Sequence, residues 1–420
     1  MRAARSAYFK EVRRAKNKHW GDFLRSTDHW TVWKAKRIAA GSQTTRFPSL
    51  PGADSPDKVR DALIQHFFPA QVPPPTNTLC PIFADVPPVT SEEVARVLSR
   101  SSPASAPGPD TIPYSVWKSI HREIPTLLPA LLGPLVERGY HPSSLKAAEG
   151  VVLEKPGKAA YDTPASYRVI VLLETLSKIL ERLFANRLSV QAREIGMLHP
   201  NQCGSLPGVS SFHAAAALTH EVATAHKLKL KASSLLLDIK GGFDNVRPDS
   251  LTGMLRERGV SPYIVSWVRT FLAGRSCRLR FQGAPNSFVK VAVGTPQGSP
   301  GSPLLFVLYV APLHKGTSTA FTVSFVNDLA VTSVSSSHRH NIQLLQARFR
   351  RLSHKAAKLG LSFSVPKTEL IHWRTPRTAP PPIASPATLM AVSSPPKTRL
   401  GGLATGSRRM PPRPPTSDTG

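Results

Sequence analysis

The stretch Ser234-LLLDIKGGFDNV-Arg247 opens with three successive leucines and ends that run on Asp238. Side chains of an extended chain alternate between faces, so a strand with this run is apolar on both and is buried. Around it, from about residue 90 to Trp373, helical and strand-like pieces alternate. Thr90-Ser-Glu-Glu93 has the form of a capping box and leads into a helix whose apolar face is Val94, Val97 and Leu98. Ser101 to Pro113, reading SSPASAPGPDTIP, is expected to be a surface-exposed loop. Val151-Val-Leu153 is expected as strand, Thr175 to Leu188 as helix and Ser233 to Leu237 as strand. The layout is α+β.

The flanks differ in composition. Residues 1–50 are expected to form a basic helical extension, with Arg13, Arg14, Lys16 and Lys18 close to Tyr8, Phe9, Trp20, Trp30 and Trp33. Cations interleaved with aromatic faces suit single-stranded nucleic acid, and they equally suit a helix that packs its rings inward and solvates its charges. Residues 51–89 are expected to be a proline-rich linker around one helical piece, Asp57 to Phe68. Residues 375–420 carry too few apolar side chains and too many prolines to pack and are expected to be a disordered or degenerate tail.

Charge narrows the class of partner. Lys and Arg number 54 against 26 Asp and Glu, a formal charge of +28. Such an excess attracts a polyanion, nucleic acid first and an acidic membrane surface second. The three cysteines, Cys80, Cys203 and Cys277, show no zinc-site spacing and fit a reducing compartment. The first twenty residues hold no apolar stretch of signal-peptide length, and no later run approaches a membrane span. The expectation is an intracellular chain, in nucleus and cytoplasm, neither secreted nor membrane-spanning.

Three segments carry candidate chemistry. In the first, Asp238 closes a buried strand and Asp244 follows six residues on. A carboxylate held by a strand end is what a Mg²⁺ ligand needs, although strand-terminal aspartates more often close turns or cap helices. In the second, Phe321-TVSFVNDLAVTSV-Val334, two apolar strands flank Asn327-Asp328, a hairpin with its turn at that polar pair, which needs no function of its own. Between them Gly294-TPQGSPGSPLLFVLY-Tyr309 is a Gly- and Pro-punctuated loop opening into an apolar helix. Backbone N–H groups at such a helix start favour phosphate or a closely approaching ligand, and a plain structural loop is the alternative.

In this order the segments resemble those of the reverse transcriptases of non-LTR (LINE-type) retrotransposons, from about residue 85 to 374. Ala106-PGPD resembles the family's early segment, Val151-VLEKPGK its basic finger strand, and Ser166-YRVIVLLETLSKILERLFANRL the piece after it. His199-PNQCGSLPG is similar to the glutamine-glycine segment, DIKGGFD to the first palm motif, TPQGSPGSPLLF to the PQGSP loop, SFVND to the paired-aspartate hairpin, and Lys358-LGLSFSVPKTELIHW to the lysine-bearing segment that follows. The resemblance implies a right-hand polymerase, fingers and palm over residues 90–374 with a small antiparallel palm sheet, that copies an RNA template into DNA from a primer. It implies Asp238 and Asp328 as ligands of two Mg²⁺ ions, or Mn²⁺ in their place, with the backbone carbonyl of Ile239. Phe243 would exclude a ribose 2′-hydroxyl, and Gln297 and Gly298 would line the nucleotide pocket. Lys155 and Arg168 would face the triphosphate, and Lys367 would donate a proton to pyrophosphate.

The match departs from the family at Asn327, where the first of two adjacent aspartates is expected, and at Val169, where proline is usual. An amide offers one neutral oxygen and cannot bridge two cations, so a rate loss of about 10²–10³ or more is expected. An endonuclease would come from another chain. Two readings follow: an impaired RNA-directed DNA polymerase, or a catalytically silent nucleic-acid-binding remnant.

Overall fold

A computed structural model of the chain describes residues 48–68, 81–314 and 321–374, apart from 104, 159, 207, 283, 285 and 286, together with Glu11 and Arg14. The expected N-terminal extension and the C-terminal tail therefore fall outside the described residues almost entirely. No helix among the described residues is long and apolar enough to cross a membrane.

Two sheets organise the fold. Strands β1 (Ala147–Glu154), β2 (Tyr167–Leu172), β5 (Arg275–Arg280) and β6 (Val289–Val291) form the first, in the order β2-β1-β5-β6. The second runs β3-β7-β8-β4-β9, from β3 (Gln202–Cys203), β4 (Lys231–Asp238), β7 (Phe321–Phe325), β8 (Asp328–Ser335) and β9 (Glu369–Trp373). Strand β4 lies between β8 and β9, antiparallel to both, which accounts for its leucine run: Leu235 and Leu237 enter the main core. Helices α1 (Pro56–Phe67), α2 (Ser91–Ser99), α3 (Tyr114–Glu123), α4 (Leu127–Glu137), α5 (Thr175–Glu194), α6 (Ser211–Lys227), α7 (Pro248–Glu257), α8 (Pro262–Leu272), α9 (Ser302–Val310) and α10 (His338–Lys358) complete the α+β architecture.

Local expectations hold where the signal is local. Thr90 caps α2 by accepting from the Glu93 amide, and Val94, Val97 and Leu98 are buried. Helix α5 runs on to Glu194, beyond the expected Leu188, because Ser189 and Ala192 continue its buried face.

Three expectations are corrected. The segment from 51 to 89 is more than a linker: α1 buries Val59 and Leu63 completely against Ala148, Val152, Tyr167 and Leu279 beneath the first sheet. The 101–113 loop is not simply exposed, since Ser101 and Gly108 are buried. A Cβ on Gly108 would meet the Glu174 backbone nitrogen at 2.4 Å, and the Ile112 carbonyl accepts from Thr175 Oγ1 at 2.7 Å. The hairpin turns one residue early. Phe325 pairs with Asp328, so the two-residue connection is Val326-Asn327, and Val326 takes φ +57°, a conformation strained for a β-branched side chain.

Candidate active site

Register brings the central pair together. Strands β4 and β8 align so that Asp238 sits directly opposite Asp328, with Leu237 opposite Leu329 and Leu236 opposite Ala330. Because side chains alternate, both carboxylates share the sheet face of Leu236 and Ala330, away from Leu235 and Leu237. Lys367, from the short turn before β9, places Nζ 3.1 Å from each carboxylate oxygen of Asp238. Asn327 donates from Nδ2 to Asp238 Oδ1 at 3.4 Å, and its backbone carbonyl accepts from the Ile239 amide at 3.1 Å. Asp238, Asn327, Asp328 and Lys367 thus converge. Burial and the negative charge of Asp238 push the Asp328 carboxyl above its ordinary value, with Lys367 working against them.

An open cleft lies over this face, lined by Asp238, Asp328, Phe325 and Lys367 and walled by Ala214, Ala215 and Leu218 of α6. That α6 forms the wall was not legible in the sequence.

The oxygen donors fit a hard divalent cation. Mg²⁺ is commonly held by one or two carboxylates while water and phosphate oxygens complete its shell, and the lysine ammonium against Asp238 is itself a cation at that position. Among the described residues no group of three or more His, Cys, Asp or Glu side chains is placed to hold a metal.

Phe243 lies in the turn after β4, stacked on Phe306 of α9 with ring centroids 4.9 Å apart. Its carbonyl accepts from the Thr295 amide at 2.7 Å, and the Val246 carbonyl accepts from the Gly294 amide at 2.9 Å. The turn is thereby zipped to the Gly- and Pro-rich loop. Asp244 does not join Asp238. It borders a separate recess with Gly294, Thr295, Arg275 and Gln297, where burial pushes its carboxyl up to about 6 against the pull of Lys155.

The glycines of that loop approach the protein's own backbone. The Gln297 carbonyl accepts from the Val171 amide at 2.7 Å, and a Cβ on Gly298, whose φ is +136°, would meet the Val171 carbonyl oxygen at 2.2 Å. Nor do the amides at the start of α9 await a phosphate. Gly301 and Ser302 both donate to Ser299 Oγ at 3.1 Å. Ser299 in turn donates to Glu181 on α5.

Glu181 is fully buried and was not singled out from the sequence. It accepts from Ser177 Oγ at 3.0 Å, Ser177 contacts His141 Nε2 at 3.2 Å, and Trp267 Nε1 donates to His141 Nδ1 at 3.3 Å. With Nδ1 accepting, Nε2 carries the proton, the neutral tautomer; burial agrees, pushing His141 down to about 3. Burial likewise pushes Glu181 up to about 7, opposed by its two serines. Arg275, also buried, holds the other end of the loop by donating to the carbonyls of Val293 and Gly294.

Lys155 follows β1, its Nζ donating to the Ala165 carbonyl at 2.8 Å, while Arg168 on β2 is exposed. Burial lowers the Lys155 pKa, and the charges of Lys367, Arg168 and Lys158 lower it further. Lys155 therefore lies within electrostatic reach of Lys367, beside the second sheet.

A family profile described as reverse transcriptase (RNA-dependent DNA polymerase) matches residues 153–394, more than half of the chain. The chain belongs to the reverse transcriptase family. Among its relatives, the probable RNA-directed DNA polymerase from transposon X-element of Drosophila melanogaster is 30% identical over 295 residues, covering 69% of this chain and 32% of that protein. The RNA-directed DNA polymerase from mobile element jockey of Drosophila funebris is 26% identical, covering 67% and 31%. This reverse transcriptase chain thus spans about a third of the length of the curated relatives it matches. Telomerase from Candida albicans overlays with a TM-score of 0.40 at 14% identity, covering 65% of this chain and 48% of that one, too loosely to transfer any residue's role. The reverse transcriptase family generally uses divalent metal ions.

Proposed function

We propose that this chain is the polymerase unit of a non-LTR retrotransposon's RNA-directed DNA polymerase, slowed by Asn327. The observation that carries the reading is the register of β4 on β8, which sets Asp238 against Asp328 in an open cleft that Lys367 also lines. The partners are an RNA template, a DNA primer and deoxynucleoside triphosphates.

Asp238 and Asp328, with the Ile239 carbonyl, would hold Mg²⁺. When bound there, such ions would supply the charge that lowers the pKa of a primer 3′-hydroxyl and offsets that of the triphosphate. The 3′-oxygen bonds to the α-phosphorus while the bond from that phosphorus to the bridging oxygen breaks, and pyrophosphate leaves. Lys155 and Arg168 attract and orient the triphosphate, and Phe243, fixed by its stacking, excludes a 2′-hydroxyl. Gln297 and Gly298, pinned to β2, form the floor of the nucleotide pocket. Lys367 leaves Asp238 and supplies a proton to the departing pyrophosphate oxygen. Asn327 contributes no charge and donates to Asp238, lowering that carboxylate's availability to a cation.

Primer extension on an RNA template tests the reading, comparing the native chain with Asn327→Asp. The substituted chain should incorporate deoxynucleotides about 10²–10³ times faster. An inactive Asn327→Asp chain that still binds RNA with a steep salt dependence would favour the silent nucleic-acid-binding reading instead.

A further inference from the structure

Helix α10 suits the dipole only in its last turn, with Lys355 and Lys358, and runs against the usual rules of helix electrostatics before it. Its 21 residues, HRHNIQLLQARFRRLSHKAAK, include six Lys or Arg and three His and not one Asp or Glu. The first turn is His338-Arg339-His340, where the positive end of the helix dipole disfavours cations, whereas α1, α2 and α7 place Asp57, Glu92 with Glu93, and Asp249 there. Like charges also sit three and four residues apart, Arg348 with Arg351 and Arg351 with Lys355. Burial and then this crowding lower the pKa values of Arg348 and Lys355.

The charge is arranged by face. At 3.6 residues per turn, Arg339, His340, Arg350, Arg351, His354 and Lys358 fall within one sector of about 120°, and all six are exposed. The opposite sector holds Asn341, Leu345, Phe349, Leu352 and Ala356, buried against the sheet. Arg339, Arg350, Arg351 and Lys358 form no ion pair with any described residue. At the N-terminal end the groups acting on His338 are basic as well: His372, Lys231, Arg374 and His226.

This face does not belong to the cleft. Helix α10 shares a core with Leu235 and Leu237, and Ser233 contacts His338 at 3.0 Å, so it covers the sheet face opposite Asp238 and Asp328. A sequence that repeats repulsive choices along one side, with no ion pair from a described residue to offset them, is accounted for by a polyanion that neutralises them. From Arg339 to Lys358 the cations extend over about 28 Å, the length of several phosphates.

We infer that the outer face of α10 is a second nucleic-acid surface, on the back of the palm, that grips the phosphates of a structured RNA outside the primer-template duplex. It goes beyond the polymerase reading, and its test needs no catalysis, so either can fail without the other.

The test is anisotropy of a labelled RNA stem-loop titrated with the full chain over a range of KCl concentrations. Replacing Arg339, Arg350, Arg351 and Lys358 together by alanine should lower the slope of log K against log salt by about 3 and weaken binding about tenfold or more. Extension of a short primer-template should be unchanged, and the melting temperature should not fall, because repulsion is removed. Alanine at four cations elsewhere, Arg96, Arg100, Arg256 and Arg258, should change RNA binding less. An unaltered slope in the α10 variant, equal losses in the two variants, or tighter binding to vesicles containing phosphatidylserine than to the RNA would each overturn the proposal.

Discussion

The backbone of residue 327 makes its turn hydrogen bond whatever its side chain, so exchanging the amide of Asn327 for an acid should act through charge. The Asn327 carbonyl receives the Ile239 amide, a bond indifferent to the side chain. Glu181 is the converse, a carboxyl whose charge is costly because it is sealed in. Its pKa of about 7 lies above the value near 4.5 it has when exposed. A raised folded-state pKa means that stability gained from protonation is complete below pH 4.5 and is lost as pH rises through 7. Glu181→Gln keeps the side chain neutral at every pH. Denaturant unfolding should therefore find the two chains alike at pH 4, and the native chain weaker at pH 8 by roughly 3 kcal/mol. Parallel stability curves across that range would mean that Glu181 ionises freely. Nothing in the sequence marks this residue: it is one Glu among the polar positions of a long helix, and its partner Ser299 lies 118 residues away.

The elements legible from sequence were those whose cues are contiguous. The leucines of β4, the capped start of α2 and the entry into α9 each contain their own signal, and the structure returns them within a few residues. The hairpin turn was misplaced by one residue because Asn-Asp is the better turn dipeptide locally, while the pairing of Asp328 with both Phe325 and Asp238 is decided across the sheet. Helix α1 was read as part of a connection because prolines surround it, and its buried face has meaning only against β1 and β2. Fragments starting at residue 48 and at residue 90, both ending at 374, separate these views. Val59 and Leu63 are fully buried, and each such side chain contributes about 1.5–3 kcal/mol. The shorter fragment should lose about 3 kcal/mol of stability, read from its denaturation midpoint; equal midpoints would return α1 to the status of a spacer.

Across the whole molecule the formal charge is +28, and the outer face of α10 is basic, while carboxylates within the fold sit at defined positions. Asp238 and Asp328 meet in the cleft, Asp244 borders the Gly-rich loop, and Glu181 anchors that loop from below. The sequence disclosed the first pair through its motifs but not the depth of support behind them, since Arg275, Glu181 and His141 act through contacts that only the folded chain makes. The account stands on Asp238 as the residue around which nucleotide transfer is built. Single-turnover primer extension on an RNA template, with Asp238→Asn introduced into the Asn327→Asp chain, tests this most directly. The account predicts that the Asn327→Asp chain extends the primer and that adding Asp238→Asn abolishes extension while RNA binding persists. Undiminished extension without the Asp238 carboxylate would contradict it.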